Sequence, residues 1–117
     1  MMSAVNKILI VEDEAIIAMT LRAELLRAGY NVCGVLSSGE EAIAFVKQEL
    51  PDLILMDIHL AGDLDGLETA RLINDSCKTF IIFMSGYDNI EIHQFDHAMF
   101  IGKPVHFFNL KQLIESI

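Results

Sequence analysis

Short apolar runs alternate along this chain with segments of helical periodicity, and that alternation leaves few folds open. The runs are 7–11 "KILIV", 31–35 "NVCGV", 52–57 "DLILMD", 79–84 "TFIIFM" and 98–101 "AMFI". Between the first two, Ile17, Leu21, Leu25 and Ala28 recur at helical spacing, and Gly29 is a good stop. Ser38 precedes a second helix with Ala42, Ile43, Val46 and Leu50 on one face, closed by Pro51. A third begins near Asp65-Gly66 with Leu67, Ala70 and Ile73 inward, and a last carries Leu110, Leu113, Ile114 and Ile117. Only "YDNIEIHQFDH" after the fourth run has mixed periodicity, with room for one or two turns of helix. Strands alternating with helices over short connections give a parallel sheet with right-handed crossovers. We therefore expect an α/β fold, a doubly wound five-stranded parallel sheet of flavodoxin-like order 2-1-3-4-5, with residues 1–117 as one domain.

Composition agrees. Hydrophobic residues make up 53% of the 117, high for a soluble chain, and a sheet covered on both faces explains the excess. No apolar stretch approaches the length of a bilayer span, and "KILIV" runs into acids too soon for a signal peptide. Seventeen acids against eight Lys and Arg leave a formal charge of −9, which repels a phosphate backbone and argues against direct nucleic-acid binding. Cys33 and Cys77 form no metal or redox spacing, so a reduced, cytoplasmic protein is the expectation; Cys33 reads as a buried small hydrophobe.

In such a sheet the site lies outside the carboxyl ends of the strands, where the order reverses. The first strand delivers Glu12 and Asp13 there, the third Asp57, the fourth Ser85, and the fifth Lys103 followed by Pro104. Carboxylates crowded together repel one another, and a hard cation relieves that repulsion. Mg²⁺ suits them, because it takes oxygen ligands, keeps several waters and commonly works beside phosphate. Asp57 could then attack phosphorus to give an acyl phosphate. Of the three phosphoryl oxygens, Mg²⁺ would hold one, the Lys103 ammonium a second and the Ser85 hydroxyl a third.

The blocks "ILIVEDE", "PDLILMDIHL", "DGLETA", "FMSG" and "GKP", in this order, resemble the signature of a response-regulator receiver domain over residues 5 to 117. The resemblance implies that Asp57 accepts a phosphoryl group from the phosphohistidine of a histidine kinase or phosphotransfer protein. It implies that Asp13 is the direct Mg²⁺ ligand, that Glu12 acts largely through water, and that the backbone carbonyl of His59 completes the set. Ser85 and Lys103 would hold the phosphoryl group, the Lys103–Pro104 bond would be cis, and Phe100 would be the switch aromatic that responds to Ser85. Such a protein is no enzyme beyond its own phosphorylation and dephosphorylation.

Other readings compete. Glu14 fits the acidic first turn of a helix. His93 and His97 have the spacing of two helical metal ligands, but with no third they read as solvated histidines. An aspartyl-phosphate phosphatase of the haloacid dehalogenase type needs an Asp two residues past the nucleophile, where this chain has His59. A flavin module would find its phosphate repelled by Glu12 and Asp13. A receiver-like interaction module working without phosphorylation is the third rival.

The chain also departs from the pattern it resembles. "LAGDLDG" has Ala61 where Pro is common and one residue more than usual, and Gly86 leaves the pocket uncrowded. Seventeen residues separate Ser85 from Lys103, fewer than the family uses, and the shortfall lies in its fourth helix. Ile90, Ile92, Phe95, Met99, Phe107 and Phe108 cluster nearby, so we expect several to pack on the sheet and an unknown downstream protein to dock near 86–108.

Overall fold

The computed structural model describes residues 5–87 and 92–117. The strands are β1 (Lys7–Val11), β2 (Asn31–Leu36), β3 (Leu53–Asp57), β4 (Phe80–Ser85) and β5 (Ala98–Gly102). The helices are α1 (Ala15–Arg27), α2 (Gly39–Glu49), α3 (Gly66–Ser76) and α4 (Phe107–Glu115). All strand pairs are parallel, in the order β2-β1-β3-β4-β5 expected from the alternation.

Because side chains alternate across a strand, each central strand feeds two cores. Ile8, Ile10, Leu53, Leu55, Ile82 and Met84 face α1 and α4, meeting Leu21, Leu25, Leu110 and Ile114. Leu9, Val11, Ile54, Met56, Ile81 and Phe83 face the other way, toward Ala42 and Val46 of α2 and Ala70 and Ile73 of α3. Leu25 is fully buried, and sequestering a side chain of that size is worth roughly 2 kcal/mol.

Local chemistry starts the helices on the far face. The Ser38 hydroxyl accepts from the Glu41 backbone at 3.2 Å and caps α2. Asp65 and Glu68 form a reciprocal capping box on α3, with bonds of 2.8 and 3.2 Å. Gly66 then meets the end of β3 so closely that an added Cβ would stand 2.2 Å from the Asp57 carbonyl oxygen. Its N–H donates to the Ile58 carbonyl at 2.8 Å. The third helix is thus seated directly against the strand end that carries Asp57.

Some expected inward positions turn outward. Ala28 is the exposed C-cap of α1, one residue beyond the last full turn. Leu50 leaves α2 in the left-handed region (φ 48) ahead of Pro51, which swings its side chain to 62% exposure. Cys33 is only half-buried, because β2 is an edge strand covered on fewer sides. After β4, residues 88–91 and with them Ile90 lie outside the described residues, and 92–97 forms turns and bends without a helix. Phe95 from this stretch is buried and packs its ring 5.1 Å from Phe83, covering sheet that a helix would otherwise cover.

Candidate functional site

The residues that leave the strands at their carboxyl ends do converge. The Glu12 N–H bonds the Leu36 carbonyl at 2.9 Å, prolonging the β1–β2 ladder by one step. That step leaves the Glu12 carboxylate inside the protein, 2% exposed. Asp57 ends β3 and is 3% exposed. One carboxylate oxygen from each of Glu12, Asp13 and Asp57 lies within 4.8 Å of the others. The Asp13 carboxylate accepts from the Ala61 N–H at 3.1 Å, so the loop after β3 steadies it.

Lys103 follows β5, and its N–H donates to the Ser85 carbonyl at 2.8 Å, fixing the two strand ends together. The Lys103–Pro104 bond is cis. The ammonium stands 2.7 Å from Glu12 Oε1 and 3.4 Å from Asp57 Oδ2. Glu12, not Asp57, is therefore its nearer partner. Burial lowers the affinity of this ammonium for its proton, but its pairing with Glu12 and Asp57 outweighs that, and its pKa ends above the usual lysine value.

Asp57 behaves in the opposite way to an exposed acid. Burial raises its pKa, the neighbouring Glu12 adds to the rise, and the His59 N–H and Lys103 only partly oppose it. The result is a value of about 7 against an ordinary 3.8. Three carboxylates gathered near one ammonium leave an excess of negative charge, and two of the three, Glu12 and Asp57, are buried. A divalent cation would balance it, and the all-oxygen donor set suits a hard ion.

Ser85 ends β4 with its side chain buried, and its hydroxyl accepts from the Tyr87 N–H at 3.0 Å. The His59 N–H donates to Asp57 Oδ1 at 3.0 Å. Phe100 lies on β5 opposite Phe83, partly buried on the α2 and α3 side of the sheet. His93 and His97 stand exposed outside the pocket, and His97 rests on Phe80 at 4.8 Å.

Sequence reasoning missed Tyr87. Its ring meets that of His59 edge to face, with centroids 4.9 Å apart. A signal was available: Tyr87 follows Ser85 by two residues, as His59 follows Asp57.

Residues 8–115 match the family model of the response regulator receiver domain. The chain belongs to that family. As a receiver domain of two-component signalling it carries an acidic pocket, Glu12, Asp13 and Asp57, consistent with a phospho-aspartate site. The receiver is 37% identical to the phyllosphere-induced regulator PhyR of Methylorubrum extorquens, over 95% of this chain and 43% of that protein. It is 28% identical to the chemotaxis protein CheY of Thermotoga maritima, over 96% of this chain and 94% of that one. Among solved structures, the signal receiver domain of a modulated diguanylate cyclase from Desulfovibrio desulfuricans, described as an example of alternate folding, superposes with a TM-score of 0.81. That domain is 36% identical, with 96% of this chain and 92% of that one covered. The receiver spans about half or less of several longer curated relatives, such as 43% of PhyR and 55% of the regulator PdtaR of Mycobacterium tuberculosis. No helix among the described residues is long and apolar enough to cross a membrane.

Proposed function

We propose that this receiver is a Mg²⁺-dependent phosphoacceptor switch, phosphorylated on Asp57 by a histidine kinase or phosphotransfer protein and read out by protein–protein contact. The observation that carries this reading is the position of Asp57, gathered with Glu12 and Asp13 within 4.8 Å and with the Lys103 ammonium 3.4 Å away.

An Asp57 carboxylate oxygen attacks the phosphorus of a phosphohistidine, forming a P–O bond as the P–N bond breaks and the imidazole leaves with the electron pair. Lys103 turns from Glu12 toward one phosphoryl oxygen, and the Ser85 hydroxyl donates to another. The His59 N–H holds the Asp57 carboxylate in orientation before attack. Asp13 would hold the cation directly and Glu12 through water, and the His59 carbonyl would complete the protein ligands. When bound, Mg²⁺ neutralises charge on the carboxylates and on a phosphoryl oxygen. Ser85 shifts toward the new group, and Phe100 takes the space it leaves.

In this reading residues 1–117 work as one receiver unit in the cytoplasm, catalysing only their own phosphorylation and dephosphorylation. The downstream protein docks near 86–108. Incubation with acetyl phosphate and Mg²⁺ should add a single phosphoryl group by intact mass, and Asp57→Asn should abolish it. Equal modification of that variant overturns the assignment. An unmodified wild type, with Mg²⁺ and donor in excess, would favour a receiver fold that works without phosphate.

A further inference from the structure

Asp13 differs from the two carboxylates beside it. Glu12 and Asp57 are buried and share the Lys103 ammonium, at 2.7 and 3.4 Å. Asp13 is less buried, and among the described residues no cation pairs with it. Its carboxylate lies within 4.8 Å of two others, and their negative charge pushes it outward, toward solvent. A backbone donor opposes that push. The Ala61 N–H donates to Asp13 Oδ2 at 3.1 Å, from 48 residues away in the chain.

The loop that carries this donor is anchored at both ends. Leu60 is buried in the core on the α2 and α3 side of the sheet. Leu64 lies so near Gly39, at the start of α2, that a Cβ added to Gly39 would stand 3.2 Å from the Leu64 Cβ. Asp65 then caps α3. Between these anchors Ala61, Gly62 and Asp63 are exposed, and Gly62 takes φ 104, a left-handed conformation that other residues resist. The Ala61 side chain is in solvent while its N–H turns inward. A short turn between two fixed leucines leaves that N–H little freedom.

We propose that Ala61 is a positioning residue for the cation: its N–H holds Asp13 turned into the pocket before an ion arrives, and so raises Mg²⁺ affinity. This rests on the reading of Glu12, Asp13 and Asp57 as a Mg²⁺ site. A carboxylate has two oxygens, and a charge-assisted bond to one of them fixes the orientation of both. Without the N–H, Asp13 spends part of its time turned outward, and binding must first bring it back against the repulsion of its neighbours. Partners that orient a metal ligand commonly change affinity by about tenfold or more when removed. Solvent reaches this bond, so about fivefold is the expectation here. The effect belongs to the N–H and owes nothing to the methyl group.

The test is calorimetric titration of Mg²⁺ into the full chain, as wild type, Ala61→Pro, Ala61→Ser and Gly62→Ala. Ala61→Pro removes the N–H and should bind Mg²⁺ about fivefold more weakly. Ala61→Ser keeps the N–H and should bind like wild type. Gly62→Ala keeps every donor but strains the turn, since a Cβ there meets nothing nearer than Glu40 Oε2 at 3.5 Å; it should weaken binding by a smaller factor. Melting temperatures of wild type and Ala61→Ser in chelator should match, and that of Ala61→Pro should fall too little to account for the loss. A metal-free arm follows exchange of the Ala61 amide by NMR in chelator, which should quicken several-fold in Asp13→Ala. Unchanged or tighter binding by Ala61→Pro, loss equal in Ala61→Ser, or an Ala61 amide indifferent to Asp13→Ala would overturn the proposal while leaving the metal site standing. Should Ala61→Pro fail to fold, unchanged affinity in Gly62→Ala overturns it instead. A wild type that binds no Mg²⁺ overturns the metal site and the proposal together.

Discussion

Asp57→Asn should stabilise the metal-free protein, and the gain should grow with pH. The folded pKa of Asp57 is about 7 against an ordinary 3.8, chiefly because the carboxylate is buried beside Glu12. The folded state thus binds the proton more tightly than the unfolded chain. The stabilisation from that proton is fully present below the unfolded pKa, and it is lost as pH rises through the folded pKa near 7. At roughly 1.4 kcal/mol per unit, the whole window is worth at most about 4 kcal/mol. Between about pH 5.5 and about pH 8.5, about 1.5 units of that window are crossed, or about 2 kcal/mol. Asparagine is nearly isosteric and cannot ionise, and it leaves Lys103 paired with Glu12 at 2.7 Å. Urea unfolding monitored by far-ultraviolet circular dichroism suits a chain with no Trp. With metal chelated, the stability difference between variant and wild type should widen by about 2 kcal/mol across that range, about 8 °C in Tm. Saturating Mg²⁺ should flatten the wild-type curve by taking the proton's place. Parallel pH curves for the two proteins in chelator, or a wild type that gains on the variant as pH rises, would refute the reasoning.

Mg²⁺ affinity should fall further for Asp13→Asn than for Glu12→Gln, because Glu12 is already engaged by the Lys103 ammonium while Asp13 accepts from the Ala61 N–H; calorimetric titration gives the order, and equal losses would count against it. Gly66→Ala should cost roughly 2 kcal/mol by urea unfolding and slow phosphorylation as well, since its methyl group pushes on the Asp57 backbone. Asp65→Ala should cost about 1 kcal/mol through the lost cap, with little effect on phosphorylation rate. Beryllofluoride should change amide exchange in 92–108 without producing a dimer; a dimer, or changes confined to α3, would move the output elsewhere.

The strands and their order were legible because each central strand is buried on both faces. Such a strand must be an unbroken apolar run, and the polar residues at its end stand out by contrast. Glu12, Asp13, Asp57, Ser85 and Lys103 are visible for the same reason: each ends or closely succeeds a run, and parallel strands bring those ends to one edge of the sheet. Leu50 and Ala28 misled because helical spacing says which face a residue takes only while the helix continues. At a C-cap the backbone leaves the cylinder and the face is lost.

Contacts between loops were illegible for a deeper reason. The matching offsets of Tyr87 from Ser85 and of His59 from Asp57 do not by themselves bring the rings together, because that depends on β3 and β4 lying side by side. The stretch after β4 shows the same limit from the other side. Its apolar residues have no clean period because they obey the sheet they cover, with Phe95 buried on Phe83 and Ile92 and Phe100 packed on the same face. Of the described large apolar side chains in 86–108, only Tyr87 and Phe108 are well exposed, at 65% and 70%. Under the proposed readout, a partner at this region meets a surface anchored to β4 and β5 by buried aromatics. The exposed Tyr87 bonds the Ser85 hydroxyl through its N–H, so the buried end of β4 and the surface are one hydrogen bond apart.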